Sequence, residues 1–564
     1  MRQESYALSG TSASPSSARI SRTTSTQTRF RCGGTAGTTI ASRLSENPSK
    51  TVLLIEAGDD DRTNPDAFDI YKYSAAFGTN LDWAWSTDLN KTIRGGRTLG
   101  GSNSINGLLW TRAMKAQYNA FSQLLGEEDS DMNWNFDSLF FYMKKAEMFT
   151  PPDQDQRAKG ANYNPDFHGF SGPVHAAYPQ GMYGDLNGGD ANCVSFIPHT
   201  INPSDNDTRS SSAAAYLSPV EDERTNWITL VSHQVTKVLL SGSAPSVRAT
   251  GVEFKTSDNT GGSFNASARQ EVIVSAGAIG TPQLLQVSGI GDPSVLEPLG
   301  IDVKVSLSTV GRNLQEQAMN NLGHSAQPSF SPDGIGPSNC IAFPSLKELF
   351  SENGGSNGSV RADDIADYIM AMYPSWAESQ VVNGLDSEAL TTIFGIQAGL
   401  IVNDDAPVME MFFDIGFLED IGIDMWFLLP FSRENVTITD ASIFTKPEVN
   451  VNWFSVDFDL AIQIAGARLS RRVLNNDAFD TISSGETNTG NGNNVFSAVS
   501  HPIGTAAMMR RELGGVVDGK LRVYDTLNLR IADASVLPIH LSAHLQSTIY
   551  GVAEKAANII KSGI

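Results

Sequence analysis

The sequence predicts an α/β fold built around a parallel sheet, and three observations near the N-terminus support this prediction. The stretch RCGGTAG (31–37) contains Gly34 and Gly37, the second and third glycines of a G-x-G-x-x-G turn, with Cys32 in place of the first. Residues 52–55 (VLLI) form an aliphatic run typical of a strand buried on both faces. Glu56 follows this run, where an acid that binds an adenosine ribose is expected. Together these spacings predict a Rossmann-type dinucleotide-binding unit.

The helix and the strand that should flank this turn differ in how well the sequence supports them. Ala36, Ile40 and Leu44 recur at four-residue spacing, which predicts a short helix that packs on the sheet before Pro48. Residues 20–31 (ISRTTSTQTRFR) contain no aliphatic run and do not predict a first strand. We therefore expect residues 1–31 to be disordered or to come from a mispredicted start of the chain.

Elements of the nucleotide-binding type occur again in the middle and at the end of the chain. EVIVSAGAIG (271–280) and LNLRIADASV (527–536) each predict a buried strand followed by small residues, and the last segment has one apolar helical face. Between them, alternating segments such as NVTITD and PEVNVNWF predict an antiparallel sheet. We predict a discontinuous cofactor domain (32–150, 230–325 and 496–564) and a substrate domain (151–229 and 326–495).

Composition and charge exclude several classes of function. The chain has 62 acidic against 40 basic side chains and a formal charge of −22, which disfavours binding to nucleic acid or anionic membranes. Every long apolar stretch is interrupted by charges, so we expect no membrane span. The three cysteines are too widely spaced for a metal cluster, and His540 and His544 lack a third ligand nearby, so we expect no metal site.

Four segments in order resemble the glucose-methanol-choline (GMC) oxidoreductases. They are CGGTAG with LLIEAG, GGRTLGGSNSINGLLWTR (95–112), GAIGTPQLLQVSGIG (277–291), and HPIGTAAMM (501–509) with DASVLPIHLSAH (533–544). The fungal glucose oxidase and glucose dehydrogenase branch is the most similar. The resemblance implies FAD as cofactor, an FAD domain of Rossmann type, and a substrate domain whose antiparallel sheet is flanked by helices.

The resemblance also implies a set of site residues. The cofactor-binding positions are Gly34, Thr35, Ala36, Gly37, Glu56, Gly101, Ser102, Asn103, Asn106, Gly107, Val235, Asp533 and Ala534. Leu109, Asp424 and Trp426 match positions of the substrate pocket. Some family members bind FAD covalently through a histidine in the LGGSNSIN segment, but Ile105 occupies that place here. We therefore expect FAD to be bound without a covalent link.

Two histidines carry the expected chemistry. Oxidation of an alcohol needs a base for the hydroxyl proton, and imidazole, with a pKa of about 6.5, accepts protons near neutral pH. His501 opens HPIGT and His544 lies in SAHLQS, and both match the family's catalytic pair. We expect His501 to act as the principal base and His544 to hydrogen-bond the substrate oxygen.

The sequence departs from the glucose-specific branch at the substrate pocket. No arginine lies in the segment NTGNGNNVFSAVS before His501, and Leu109 replaces a threonine. Polar sugar hydroxyls without partners are costly to bury, so we expect a less polar alcohol, such as a fungal secondary-metabolite intermediate. The alternatives are a glucose or aldose oxidase or dehydrogenase, a hydroxynitrile lyase, and an inactive protein without FAD.

Oxygen or a quinone is the expected electron acceptor, and a homodimer is the expected assembly. The sequence does not indicate a compartment.

Overall fold

The computed structural model describes residues 27–182, 194–350, 361–381, 385–415, 421–488 and 496–563. Its strands are β1 (Gln27–Cys32), β2 (Lys50–Ile55), β3 (Trp85–Ser86), β4 (Thr92–Ile93), β5 (Glu147–Phe149), β6 (Val174–Ala176), β7 (Val194–Phe196), β8 (Ile201–Asn202), β9 (Thr208–Arg209), β10 (Trp227–Leu230), β11 (His233–Ser241), β12 (Arg248–Thr256), β13 (Phe264–Ser267), β14 (Val272–Val274), β15 (Ile290–Gly291), β16 (Val305–Ser306), β17 (Ala318–Ala326), β18 (Cys340–Ala342), β19 (Met409–Ile415), β20 (Ile421–Phe427), β21 (Asn435–Thr437), β22 (Glu448–Asn450), β23 (Ser483–Asn488), β24 (Ser497–Ala498) and β25 (Leu529–Ile531). Its α-helices are α1 (Thr35–Ser45), α2 (Pro65–Phe68), α3 (Lys115–Leu124), α4 (Phe136–Ala146), α5 (Gln154–Ala158), α6 (Gly277–Val287), α7 (Pro293–Leu296), α8 (Leu346–Leu349), α9 (Ala362–Ser379), α10 (Ser387–Val402), α11 (Asp457–Leu474) and α12 (Gln546–Ser562).

The first domain is built on a parallel sheet with strand order β10-β2-β1-β14-β25. Strand β1 is central and pairs with β2 from Gln27 to Cys32. The expectation that residues 20–31 form no strand is therefore wrong for the part from Gln27 onward. A ladder is formed by backbone groups, and β2 and β14 offer them on both sides, so an aliphatic run is not required. Residues 1–26 lie outside the described part of the chain.

Helix α1 connects β1 to β2 and completes the predicted βαβ unit. Ala36, Ile40 and Leu44 are all buried, as their spacing predicted. Helix α12 packs between α1 and α4, which explains why it is buried on nearly all sides rather than on one face. This packing holds the N-terminus of α1 rigidly at the carboxyl ends of the strands.

The second sheet is antiparallel, with order β23-β17-β20-β19-β18-β7 and β24 beside β17. Helix α11 packs on β20, and α9 packs on α10, which confirms the predicted antiparallel sheet with flanking helices. Strand β17 belongs to this sheet although most of it lies within the range 230–325 predicted for the first domain. Strand β10 pairs in the parallel sheet although it begins before 230. In the described residues, no helix is both long enough and apolar enough to cross a bilayer.

Candidate active site

A cavity of about 930 Å³ lies where the carboxyl ends of the parallel strands meet one face of the antiparallel sheet. The predicted site residues that line it are Gly34, Thr35, Ala36, Glu56, Gly101, Ser102, Asn103, Asn106, Gly107, Leu109, Val235, Asp424, Trp426, His501, Asp533, Ala534 and His544. Gly37 does not line it, because it is buried within α1, where a missing side chain favours close packing of helix on strand. The fold thus gathers in one place residues that are spread over most of the sequence.

Backbone and small residues shape one end of this cavity. A Cβ on Gly33 would lie 2.7 Å from the Glu56 side chain, and a Cβ on Gly101 would lie 2.7 Å from the Cα of Gly34. Gly101 also has a left-handed φ of +67°. Helix α1 begins just after Gly34, and the first amides of a helix have no partners within it. Because such amides bind phosphate groups, this end fits the pyrophosphate of a dinucleotide.

Glu56 lies at the end of β2 beside this turn. It is 6% exposed, and its Oε1 accepts a hydrogen bond from Gly58 N at 2.9 Å. Burial raises the pKa of its carboxyl to about 7, although backbone amides and Arg97 oppose the shift. A carboxyl placed here has the chemistry to accept hydrogen bonds from ribose hydroxyls.

The LGGSNSIN segment passes through a short 3-10 helix over residues 101–104. Asn103 Nδ2 donates to the hydroxyl of Tyr550, whereas Asn103 Oδ1 is buried without a partner in the described residues. Asn106 Oδ1 accepts from Arg209 at 2.8 Å, and Asn106 Nδ2 donates to Gln546 at 3.3 Å. A buried acceptor without a partner is expensive, so the Asn103 amide fits a cavity that holds a polar ligand. The sequence prediction did not include Arg209 among the site residues.

Asp533 ties two strand ends together. Its Oδ2 accepts from Gly277 N at 2.9 Å and from Thr281 Oγ1 at 2.6 Å, while Oδ1 accepts from Ser535 N at 2.8 Å. The carboxylate therefore joins the turn after β14 to the turn after β25. Both turns line the cavity, so Asp533 fixes part of the cradle that the cofactor would occupy.

The rings of His501 and His544 lie side by side in the lining of the cavity. Their ring centroids are 5.0 Å apart and their planes are nearly perpendicular, at 88°. Burial and the neighbouring His544 and His540 lower the pKa of His501 well below its usual value. The imidazole of His501 is therefore neutral near pH 7 and able to accept a proton.

Gln317 determines which nitrogen of His501 accepts. Its Nε2 donates to Leu428 O at 3.1 Å, so its Oε1 is the atom that meets His501 Nδ1 at 3.0 Å. Nδ1 of His501 accordingly carries the hydrogen, and Nε2 keeps the lone pair. The sequence prediction did not include Gln317, because a buried glutamine before a strand carries no local signal.

Glu410 orients the second histidine. This carboxylate is fully buried on β19, and His544 Nε2 donates to its Oε1 at 2.7 Å. Thr111 Oγ1 accepts from His544 N at 2.8 Å, and Trp426 meets the ring edge to face at 5.9 Å. The sequence prediction missed Glu410. Its only signal is an acidic residue inside an otherwise apolar strand, MEMFF.

Aromatic and acidic side chains from the antiparallel sheet line another part of the cavity. On β19 and β20 the alternating residues Phe412, Asp414, Asp424 and Trp426 point the same way, as the period of a strand requires. Asp424 accepts from Asn321 at 2.8 Å and Asp414 accepts from Ser338 at 2.7 Å. Other apolar side chains that line the cavity include Tyr73, Phe77, Leu109, Met319 and Phe496.

Comparison with known proteins agrees with this geometry. The two GMC oxidoreductase family models match residues 30–319 and 430–553. The chain is 34% identical to "Glucose oxidase-like protein fsoC" of Humicola fuscoatra, over 94% of each chain. Its structure is similar to an FAD-dependent oxidoreductase from Chaetomium thermophilum (TM-score 0.82, 25% identity, 95% of this chain and 99% of that one). It is also similar to a fungal aryl-alcohol oxidase (TM-score 0.80, 26% identity, the same coverage). The chain belongs to the GMC oxidoreductase family and is an FAD-dependent oxidoreductase.

Proposed function

We propose that the protein oxidises a non-sugar alcohol to an aldehyde or ketone, with His501 as base. The observation that carries this proposal is the perpendicular pair of His501 and His544, in which Gln317 leaves Nε2 of His501 free to accept a proton. FAD, when bound, accepts the hydride that leaves the substrate carbon. His501 Nε2 takes the hydroxyl proton, so the C–O bond becomes a carbonyl and the charges balance.

His544 has a different role in this proposal. Its Nε2 is committed to Glu410, so the side chain is held in one orientation beside Trp426. With both ring nitrogens protonated beside the Glu410 carboxylate, Nδ1 is the donor left for the substrate oxygen, and the hydroxyl proton is then directed to His501. Such positioning contributes to rate because the reacting atoms must meet in a narrow range of geometries.

The walls of the cavity favour an apolar alcohol, and an aromatic one above all. Trp426, Phe412 and Leu109 line it with apolar side chains. Asp414 and Asp424 already accept hydrogen bonds from Ser338 and Asn321, so their capacity for further hydroxyl groups is reduced. The structural similarity to an aryl-alcohol oxidase points in the same direction. A role in secondary metabolism would suit such a substrate.

Glucose is the second candidate. Asp424 and Trp426 line the cavity and match pocket positions of the glucose-oxidising branch in the sequence, and one relative is called glucose oxidase-like. Against glucose stands the cost of each sugar hydroxyl buried without a partner, about 1 to 3 kcal/mol.

The test is anaerobic reduction of the bound flavin, followed by its absorbance, with benzyl alcohol or glucose added. We expect bleaching with benzyl alcohol at a higher kcat/KM than with glucose. Faster bleaching with glucose would reverse the assignment of substrate, and no bleaching with any alcohol would overturn the proposed reaction. Reoxidation by oxygen or by a quinone then identifies the electron acceptor.

The mode of FAD attachment is part of the same proposal. Ile105 is 4% exposed and packs with Ala76 and Leu81, and an aliphatic side chain cannot bond to the flavin. We expect acid precipitation to release all the flavin into the supernatant. Flavin that stays with the pellet would mean that another residue forms the bond.

A further inference from the structure

The chain around His501 departs from a regular antiparallel ladder. Gln315 and Ile503 exchange backbone hydrogen bonds of 3.2 and 3.1 Å, and Val499 N donates to Gln317 O at 3.1 Å. Between these two connections the segment that carries His501 has three residues, whereas the opposite segment has one. The extra residues form a bulge, and bulges beside active sites redirect a side chain.

One buried carboxyl satisfies the amides of this bulge. Glu316, which is fully buried, is the single residue opposite it. Its Oε1 accepts from Ser500 N at 2.8 Å and from His501 N at 3.2 Å, and Pro502 has no N–H to satisfy. Without this oxygen two consecutive amides of this half-buried segment would lose their partner, because the opposite backbone is out of register with them.

The bulge also contains an unfavourable backbone conformation. Ser500 has a left-handed φ of +71°, which residues with a side chain adopt rarely. The hydroxyl of Ser500 accepts a hydrogen bond from Arg94 N at 2.9 Å. A conformation of this kind persists only where its surroundings enforce it. Glu316 accepts hydrogen bonds from the amides on both sides of the Ser500 Cα, those of Ser500 and His501.

We propose that Glu316 is a positioning residue, which holds the bulge at Ser500 and His501 and thereby keeps the His501 ring in contact with Gln317. This inference rests on the proposed role of His501 as base. Glu316 touches no ring atom of His501 and acts only through the backbone. Its Oε2 has no hydrogen-bond partner in the described residues, so one acceptor oxygen carries the whole function.

A neutral acceptor should serve as well as a charged one. Burial raises the pKa of the Glu316 carboxyl to about 8, although the backbone amides of His501, Ser500 and Gln317 oppose the shift. The carboxyl therefore does not need its charge to hold the bulge. Glu316→Gln keeps the length and the acceptor oxygen, whereas Glu316→Leu removes the acceptor at similar volume.

The experiment measures anaerobic flavin reduction, KM and flavin content in the FAD-loaded variants. We expect Glu316→Gln to keep kcat within about threefold, and Glu316→Leu to lose about 100-fold in kcat with little change in KM, as misplacement of a reacting group does. Glu434→Leu is the matched control, because it makes the same change at an equally buried carboxyl that has no hydrogen bond to the bulge. Equal loss in all three variants, or none in Glu316→Leu, would overturn the inference.

A second readout does not depend on activity. In protein with nitrogen-15-labelled histidine, the His501 ring signals are assigned with His501→Ala; they should stay in place in Glu316→Gln and shift or broaden in Glu316→Leu. If Glu316→Leu does not fold, Ser500→Val tests the same bulge, because a β-branched residue resists a left-handed φ, and Ser500→Gly is its control. Wild-type ring signals and kcat in Ser500→Val would overturn the inference.

His501→Ala separates this inference from the proposed function. If His501→Ala still reduces flavin at the wild-type rate, His501 is not the base, and the proposed reaction fails first. If His501→Ala is inactive while Glu316→Leu behaves like the wild type, the reaction stands and only the role of Glu316 is wrong.

Discussion

The two ends of the cavity differ in what lines them: backbone and glycines at the cofactor end, and long side chains at the substrate end. At the cofactor end, glycines allow neighbouring backbones to pack so closely that a side chain would not fit, as at Gly101 and Gly34. At the substrate end, long side chains project from sheet strands and loops and are held by buried polar partners, as His544 is by Glu410. The shape of the backbone therefore limits FAD binding at the cofactor end, and the orientation of side chains limits the reaction rate at the substrate end. Changes at the first should alter FAD occupancy, and changes at the second should alter the rate per bound FAD.

The largest effect should come from His501→Ala at the substrate end. Removal of the proton acceptor should lower the rate of flavin reduction by about 1,000-fold, within the range known for general bases. Flavin content should remain that of the wild type, because the ring lies at the substrate end. Stopped-flow absorbance under anaerobic conditions measures both quantities. Loss of flavin together with rate would contradict the separation of the two ends.

How much the sequence predicts also differs between the two ends. Glu56, the glycines and Asp533 follow directly after strands, so a local pattern is enough to find them. Glu410, Gln317 and Glu316 act on residues distant in the sequence, through the pairing of strands or through a bulge. Such register is set by tertiary contacts, and a single sequence carries no local trace of it.

Strand β1 illustrates the same limit at the cofactor end. Its sequence QTRFRC has no aliphatic run, and the central strand was therefore not predicted. The backbone nevertheless pairs with β2 over its whole length, because parallel pairing needs only regularly spaced amides and carbonyls. The antiparallel sheet of the substrate domain is confirmed, but the alternating segments NVTITD and PEVNVNWF form a separate two-stranded sheet, β21 with β22. The flanking helices were implied by the family resemblance and not by a local pattern.

Gly101→Ala should give the second largest effect, at the cofactor end. The added methyl group would lie 2.7 Å from backbone that cannot move away, at a φ of +67°. We expect FAD affinity to fall about 100-fold, equivalent to about 2.7 kcal/mol, while the rate per bound FAD stays near that of the wild type. Flavin fluorescence on titration of the apoprotein measures the affinity.

Gly300→Ala is the matched control for Gly101→Ala. Gly300 has nearly the same φ, +70°, but a Cβ there would meet no atom within 4 Å. This variant should lose about 1 to 2 kcal/mol of stability from the left-handed conformation and keep its FAD affinity. Equal loss of FAD affinity in both variants would show that backbone strain, rather than close approach, limits the cofactor end.

Substitution of Glu410 should give an intermediate effect on rate. Glu410→Leu leaves the Nε2 hydrogen of His544 without its acceptor, a loss of about 1 to 3 kcal/mol, or roughly 5- to 150-fold in rate. Glu410→Gln still offers an oxygen at 2.7 Å and should lose less. Rapid-reaction rates with benzyl alcohol, together with flavin content, measure the effect. Equal losses in Glu410→Gln and Glu410→Leu would mean that charge, not orientation, is what Glu410 provides.

The smallest effect concerns pH at the cofactor end. Burial raises the pKa of Glu56 from 4.5 to about 7, and ribose hydroxyls donate better to the ionised carboxylate. FAD affinity should therefore rise about tenfold from pH 6 to pH 8 and then level off, since the ionised fraction of Glu56 follows its pKa.

In the apoprotein the raised pKa of Glu56 has the opposite consequence for the free energy of unfolding. Its stabilising contribution is complete below pH 4.5 and is lost as the pH rises through 7.

Glu56→Gln isolates this pH dependence from every other titrating group. Glutamine keeps an acceptor oxygen for Gly58 N but does not ionise, so the FAD affinity of the variant should be flat between pH 6 and pH 8. The rate of flavin reduction per bound FAD should keep its wild-type pH dependence, because Glu56 lies at the opposite end of the cavity from His501. A slope in affinity that survives in Glu56→Gln would assign the pH dependence to another group. A change in the rate profile would mean that the two ends of the cavity are coupled after all.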